Sequence, residues 1–314
     1  MNLSKEIRDK LRCPVTKARL EQKGDYLESQ GDSKIRYPIV DDIPVLINNE
    51  NSLFSIDDFT KKRNTTFDLH ENKIKKQINK MLPKIGANLK SRSNFKHMTS
   101  LLPGQAKILV VGGSIEGKAM DTIYSKESFE VVGTDVSFGP YTKVISDGHD
   151  IPFDDQTFDC VIVQAVLEHV LDPNRCVHEI HRVLKPSGIV YAETPFMQQV
   201  HMKQYDFTRY THLGLRRLFR QFEEIKSGAC GGPGMALAWS YAYFLKSFTT
   251  SAIIRRFLNQ FAAFTSFFLK YFDYYLIDKP GSYDAAAGFF FMGKKSDDIL
   301  PDKELIKQFK GVYS

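Results

Sequence analysis

Lys107–Gly117, KILVVGGSIEG, is the stretch on which the fold turns. A short apolar run ends in a glycine pair, and a third glycine follows four residues later. A buried parallel strand hands over to a helix in this way when the turn between them lies against a ligand. Glycine lets the backbone turn tightly and approach without a Cβ in the way. The spacing is not the GxGxxG of a dinucleotide loop, so the turn alone leaves the ligand open.

The residues downstream narrow the reading. Phe129–Asp135, FEVVGTD, reads as a second strand ending in an acid. Asp135 falls 23 residues after Gly112, near the offset of about 20 at which a carboxylate can bind ribose hydroxyls. Asp147–Phe153, DGHDIPF, precedes DDQTFDCVIVQA, in which Phe158–Val163 is apolar and β-branched, as in a central strand. VLEHV at Val166–Val170 opens a turn, and Asn174–Leu184 has a helical pattern. KPSG at Lys185–Gly188 is a stop, and IVYAET at Ile189–Thr194 is a further strand. Cys160 reads as inert core, His149 as a surface loop residue, and His169 as a residue that fixes a loop.

In this order, DGHDIPFDDQTFDCVIV, VLEHVLDP and RVLKPSGIVYAE resemble the class I S-adenosylmethionine-dependent methyltransferases, in particular the group named methyltransferase type 11. The match runs from Lys107 to about Thr211. The resemblance implies an α/β fold with a Rossmann-like, seven-stranded, mostly parallel sheet, and S-adenosyl-L-methionine as cofactor. It implies that Gly112, Gly113, Ser114 and Gly117 pass under the methionine part and that Asp135 accepts the ribose hydroxyls. Asp147 would read the adenine amino group beside the Gly148–His149 backbone, and Gln164 and Ala165 would lie near the sulfonium. One position departs from the family: Val110 stands where an acid usually precedes the first glycine by two. Glu116 is the candidate substitute. The departure also leaves open a non-catalytic cofactor-binding scaffold.

Leu11–Ile47 reads separately, from a Cys-Pro start to YPIVDDIPVLI. It resembles the small zinc-ribbon-like activator subunit of tRNA and protein methyltransferases, here fused in cis. Structural zinc needs about four thiolate or imidazole ligands. Cys13 stands alone, Thr16 holds the second position of the pair, and no further Cys or His occurs before His70. No zinc is expected in this module, and no metal site is read elsewhere. Its role is either packing against the rest of the chain or stabilisation only. Residues 1–50 form this module, 51–104 a helical linker that caps the cleft (Ile74, Ile78, Met81, Leu82 and Ile85 at helical spacing, Lys73–Lys80 as a solvated face), 105–296 the main domain and 297–314 a polar tail.

The acceptor side follows Thr194, in PFMQQVHMKQYDFTRYTHLGLRRLF. Methyl transfer asks for alignment and, with a hydroxyl acceptor, removal of a proton. His201 is the candidate base, since imidazole takes up protons near neutrality. Arg209 would hold an anionic acceptor, or pair with Asp206 and only shape the loop. Tyr205 completes the candidate catalytic set. Phe222–Ser227 and Gly288–Lys294 read as the last two strands, with about 60 residues between them. This insertion (235–280) carries aromatic helical patterns from Met235 to Ile277, punctuated by Lys246, Arg255, Arg256 and Lys270. A bilayer span needs about 20 apolar residues, and no run here qualifies. Aromatic residues interleaved with basic ones suit a helix lying in the membrane interface at 235–277. The alternatives are a buried hairpin and a homo-oligomer contact.

The 314 residues carry a net charge of +6, which is mild and not by itself a nucleic-acid footprint. Four cysteines and no apolar core in Met1–Arg12 point to a cytoplasmic protein, peripheral at the inner face of the membrane. The expected acceptor is a hydroxyl on a small molecule, saccharide or lipid-linked intermediate. RNA or protein stays open as an acceptor because of the amino-terminal resemblance.

Overall fold

The computed structural model describes residues 1–66 and 83–312. The helical reading over Ile74, Ile78, Met81, Leu82 and Lys73–Lys80 lies outside the described residues. The strands in chain order are β1 (Leu20–Lys23), β2 (Tyr26–Ser29), β3 (Arg36–Val40), β4 (Ile43–Leu46), β5 (Lys107–Val111), β6 (Glu130–Asp135), β7 (Thr142–Ser146), β8 (Phe158–Gln164), β9 (Leu184–Pro195), β10 (Phe222–Gly231) and β11 (Gly288–Lys295). The helices that matter below are α1 (Ile56–Thr60), α2 (Ser91–Leu101), α3 (Pro173–Val183), α4 (Pro233–Ser247), α5 (Ala252–Ser266), α6 (Leu269–Leu276) and α7 (Pro280–Ala285).

All eleven strands form one mixed sheet in the order β1-β2-β3-β4-β7-β6-β5-β8-β9-β11-β10. Residues 107–295 supply seven of these strands, β5 to β11, and residues 20–46 add the other four to the same sheet. The amino-terminal hairpins do not stand apart: β4 pairs in parallel with β7, Val45 opposite Ile145 and Leu46 opposite Ser146. This pairing covers an edge that would otherwise present unpaired backbone groups. Strands β5, β6 and β8 are apolar on both faces because helices cover both. One face packs on α3 through Val177, Ile180 and Val183. The other packs on α2 through Phe95 and Met98. Strand β5 pairs with β6 on one side and β8 on the other. The strand order reverses there, which leaves a crevice at the carboxyl ends.

Local sequence explains the element ends. Helix α3 starts at Pro173, whose missing N–H is no loss at a first position, and Asp172 accepts from the Arg175 N–H at 3.1 Å. Gly232–Gly234, a Gly-Pro-Gly run, starts α4, with Pro233 in the first turn. The buried Asp273 of α6 accepts from the Gly234 and Met235 N–H groups at 2.7 and 2.9 Å. Gly234 is required because a Cβ there would lie 2.2 Å from the Leu269 carbonyl oxygen. Helices α4 to α7 fill the connection between β10 and β11. Their outer face leaves Phe248, Ile253, Phe257, Phe264 and Tyr275 largely in solvent. Among the described residues, no helix is long and apolar enough to cross a membrane.

Candidate active site

Gly112 follows β5 with φ +74°, the left-handed region, and a Cβ there would meet Val166 Cγ2 at 2.2 Å. Glycine alone fits without strain or displacement. The Ser114 N–H donates to Asp135 Oδ2 at 2.9 Å, which ties the glycine turn to the end of β6. Burial pushes the Asp135 carboxyl up, to about 6. Asp147, at the end of β7, accepts from the His149 N–H at 3.0 Å and from the Ser52 hydroxyl at 2.6 Å. Burial raises its carboxyl, but the bonds from His149 and Ser52 outweigh burial and hold it below the usual carboxylate range. An adenine amino group reading Asp147 would share it with Ser52.

The segment after β4 lies over these two strand ends. Phe54 stacks obliquely on Tyr205 at 5.5 Å, and Phe59 meets Phe138 edge-on. Thr65 donates to the Val136 carbonyl at 2.5 Å. His149 is buried, not at the surface as its loop position suggested, because its Nε2 accepts from the Asp172 N–H at 3.0 Å. Gly148 opens the same short 3-10 turn. Glu116, the candidate substitute for the missing acid, points outward and accepts from the Tyr141 hydroxyl at 3.2 Å.

At the end of β8, Gln164 donates to Glu193 Oε2 at 2.9 Å and to the Lys118 carbonyl at 3.3 Å. Its Oε1 has no partner among the described residues and would lie 2.4 Å from a Cβ on Gly117. Ala165 is exposed at φ +55°. Glu193 also accepts from Tyr191 Oη at 2.5 Å and Asn88 Nδ2 at 2.8 Å, and burial raises its carboxyl. Sequence reasoning missed Glu193, although it stands at the end of a strand that was recognised. A buried carboxylate is thus present near the glycine turn even though Val110 is apolar.

The acceptor segment folds back over the VLEHV turn. The Glu168 carbonyl accepts from Phe207 N–H at 2.8 Å and Thr208 N–H at 3.2 Å. His169 Nδ1 donates to the Tyr205 carbonyl at 2.6 Å, so it does fix a loop. His201 is exposed, with its N–H on Asp206 Oδ2 at 2.8 Å. Arg209 pairs through both terminal nitrogens with Asp206 and donates from Nε to the Gln198 carbonyl at 2.7 Å. Its guanidinium is thereby engaged within the loop, which is the second of the two readings given for it. Burial works against the Asp206 carboxylate, but Arg209 outweighs it and keeps it well below the usual range. Glu168 was also missed. It is fully buried, and burial pushes its carboxyl up to about 8. Burial lowers His169 to about 4.

Residues 113–192 match the family described as methyltransferase domain. A demethylmenaquinone methyltransferase from Bacillus pumilus (strain SAFR-032) is 30% identical over 135 residues, 40% of this chain and 57% of the relative. One of the same name from Symbiobacterium thermophilum is 30% identical over 121 residues, 32% of this chain and 48% of the relative. The chain thus spans about half the length of these curated relatives. A solved structure, phosphoethanolamine N-methyltransferase 2 of Haemonchus contortus with S-adenosyl-L-methionine, is 16% identical, covers 68% of this chain and 55% of its own, and superposes with a TM-score of 0.42. The residues present here fit the groups of S-adenosylmethionine, the cofactor expected from the sequence: a carboxylate for vicinal hydroxyls at Asp135, a turn without side chains at Gly112–Gly113, and an orphaned buried acceptor at Gln164 Oε1. Residues 113–192 thus match a methyltransferase domain, and the groups around the Gly112 turn suit S-adenosylmethionine as its cofactor.

Proposed function

We propose that this chain methylates a hydroxyl group of a saccharide carried on a lipid, at a membrane surface. The observation that supports it is the link between the acceptor loop and the aromatic insertion. Tyr243 of α4 donates to the Val200 carbonyl at 2.6 Å, and Gln199 donates to Ser240 of α4 at 3.0 Å. The loop bearing His201 is thereby fastened to helices that show a broad apolar face to solvent. Exposed apolar patches of this kind mark interaction surfaces. Lys246 lies over the Tyr243 ring and Lys279 over Tyr275, so cationic groups rim the face. That pattern suits an anionic lipid surface.

The cofactor, when bound, supplies a methyl group already activated by its positive sulfur. This chain's residues supply position. Asp135 and Asp147 take the nucleoside end, the Gly112–Gly117 turn passes under the methionine part, and Gln164, Ala165 and Glu193 border the end where methyl leaves. His201 is the candidate group to take the hydroxyl proton, with Tyr205 beside the loop. The amino-terminal module and the start of the linker brace this arrangement: β4 extends the sheet, Asn48 Nδ2 donates to Asp150 at 3.1 Å, and Ser52 of the linker holds Asp147.

The test is flotation on phosphatidylglycerol vesicles of the chain and of a variant with Phe248→Ser, Phe257→Ser and Phe272→Ser. The account expects the parent to float and the variant to stay at the bottom. Equal behaviour of the two would remove the membrane reading. The relatives' acceptor, demethylmenaquinone, serves as the comparison substrate in turnover assays.

A further inference from the structure

We propose that Glu168, His169 and His201 form a binding site for a borderline divalent transition-metal cation such as zinc or manganese. The nearest ligand atoms, Glu168 Oε1, His169 Nε2 and His201 Nε2, all lie within 4.8 Å of one another. Glu168 Oε1 is 3.5 Å from His169 Nε2 and 3.8 Å from His201 Nε2. A tetrahedral ion with bonds of about 2.1 Å separates its ligands by about 3.4 Å. The two edges are therefore close to that shape and too long for hydrogen bonds.

Three further observations support the assignment. Glu168 is 0% exposed, and neither carboxylate oxygen has a hydrogen-bond partner among the described residues. A buried carboxyl group left without any partner is costly, and buried acids are normally paired or bound to metal. Both imidazoles are oriented through the ring nitrogen that faces away from Glu168. His169 Nδ1 sits on the Tyr205 carbonyl at 2.6 Å, and His201 Nδ1 lies 3.3 Å from the Gln199 carbonyl and 3.4 Å from Asp206 Oδ2. With Nδ1 as donor, each Nε2 presents its lone pair toward Glu168, an arrangement that outer partners impose on metal-bound histidines. Finally, access is one-sided. The His169 and His201 side chains are 15% and 26% exposed, while Glu168 closes the back.

Two imidazoles and one carboxylate leave open positions toward solvent and suit a first-row divalent ion better than magnesium or calcium. The site's place beside the loop that would carry the acceptor gives it a use. A cation there would bind the acceptor hydroxyl, lower its pKa and let its proton pass to solvent, so that in the loaded site His201 would serve as ligand in place of the base role proposed above. That use rests on the methyl-transfer reading, whereas cation binding itself does not.

The experiment is cobalt(II) titration of chelator-stripped protein, without cofactor, followed by the visible ligand-field bands and by metal analysis. The expected result is about one cobalt per chain, displaced by zinc, with affinity weakened more than about 100-fold in Glu168→Gln and in His201→Ala. His201 is at the surface and Glu168→Gln keeps side-chain volume, so both variants retain the fold, which circular dichroism checks. Binding that is unchanged in both variants, or no bands in the parent, overturns the proposal. Turnover that proceeds equally in stripped and cobalt-loaded protein would leave the site but remove its catalytic use.

Discussion

Replacing Asp135 with asparagine should change stability and cofactor binding in opposite directions. The carboxyl is 6% exposed, and its pKa rises from 3.8 to about 6 because of burial. That rise is worth about 3 kcal/mol between the two protonation states. Between pH 3.8 and about 6 the folded chain holds more protons on this group than the unfolded chain. Its contribution to stability therefore falls as pH rises through this window, and the full cost stands above it. Asparagine carries no charge to bury and still offers an oxygen to the Ser114 N–H. The exchange weakens that hydrogen bond by about 1 kcal/mol. Asp135→Asn should then be more stable than the parent by about 1–2 kcal/mol at pH 8, and no more stable at pH 4. Urea unfolding at the two pH values reads this difference. Cofactor binding should move the other way. Hydrogen bonds to a charged acceptor are worth about 1.5–3 kcal/mol each, so losing the charge should weaken S-adenosylhomocysteine about 100-fold by calorimetry. A variant that is less stable at pH 8 would refute the burial argument. A variant that binds as the parent does would refute the placement of the ribose.

Asp273→Ala should remove both acceptors at the start of α4 and cost about 1–2 kcal/mol. Hydrogen exchange should speed up in α4 and α6 while β5 and β8 remain protected. Gly112→Ala should force a left-handed alanine and displace Val166. It should cost about 2 kcal/mol or more by urea unfolding and weaken S-adenosylhomocysteine at the same time.

What the sequence made legible follows from where the signal is local. Strands β5, β6 and β8 are buried on both faces, so their apolar runs are nearly continuous and their boundaries fall within a residue or so of the reading. Strand β7, Thr142–Ser146, went unread because five residues interrupted by Lys143 leave little pattern. The union of the amino-terminal hairpins with the main sheet was invisible for another reason. The pairing of Val45 with Ile145 bridges 100 positions and has no local trace. The same applies within the site. Asp135 and Asp147 stand at strand ends that the sequence marks, whereas Ser52 reaches Asp147 from the linker. Glu168 looked like part of a turn. Its burial arises only when residues 201–209 close over it, and so the Glu168–His169–His201 cluster drew on two segments that no single motif joins. Arg209 could be read either way, since Asp206 lies three residues before it and the choice is made by the loop's fold.

The most direct test of the account is a crystal structure of the chain with S-adenosylhomocysteine. The account predicts both ribose hydroxyls on the Asp135 carboxylate, the amino-acid end beside Gln164 and Glu193, and the sulfur facing the loop of His201. A nucleoside bound elsewhere, or Asp135 still turned to Ser114 alone with the ribose out of reach, would contradict it.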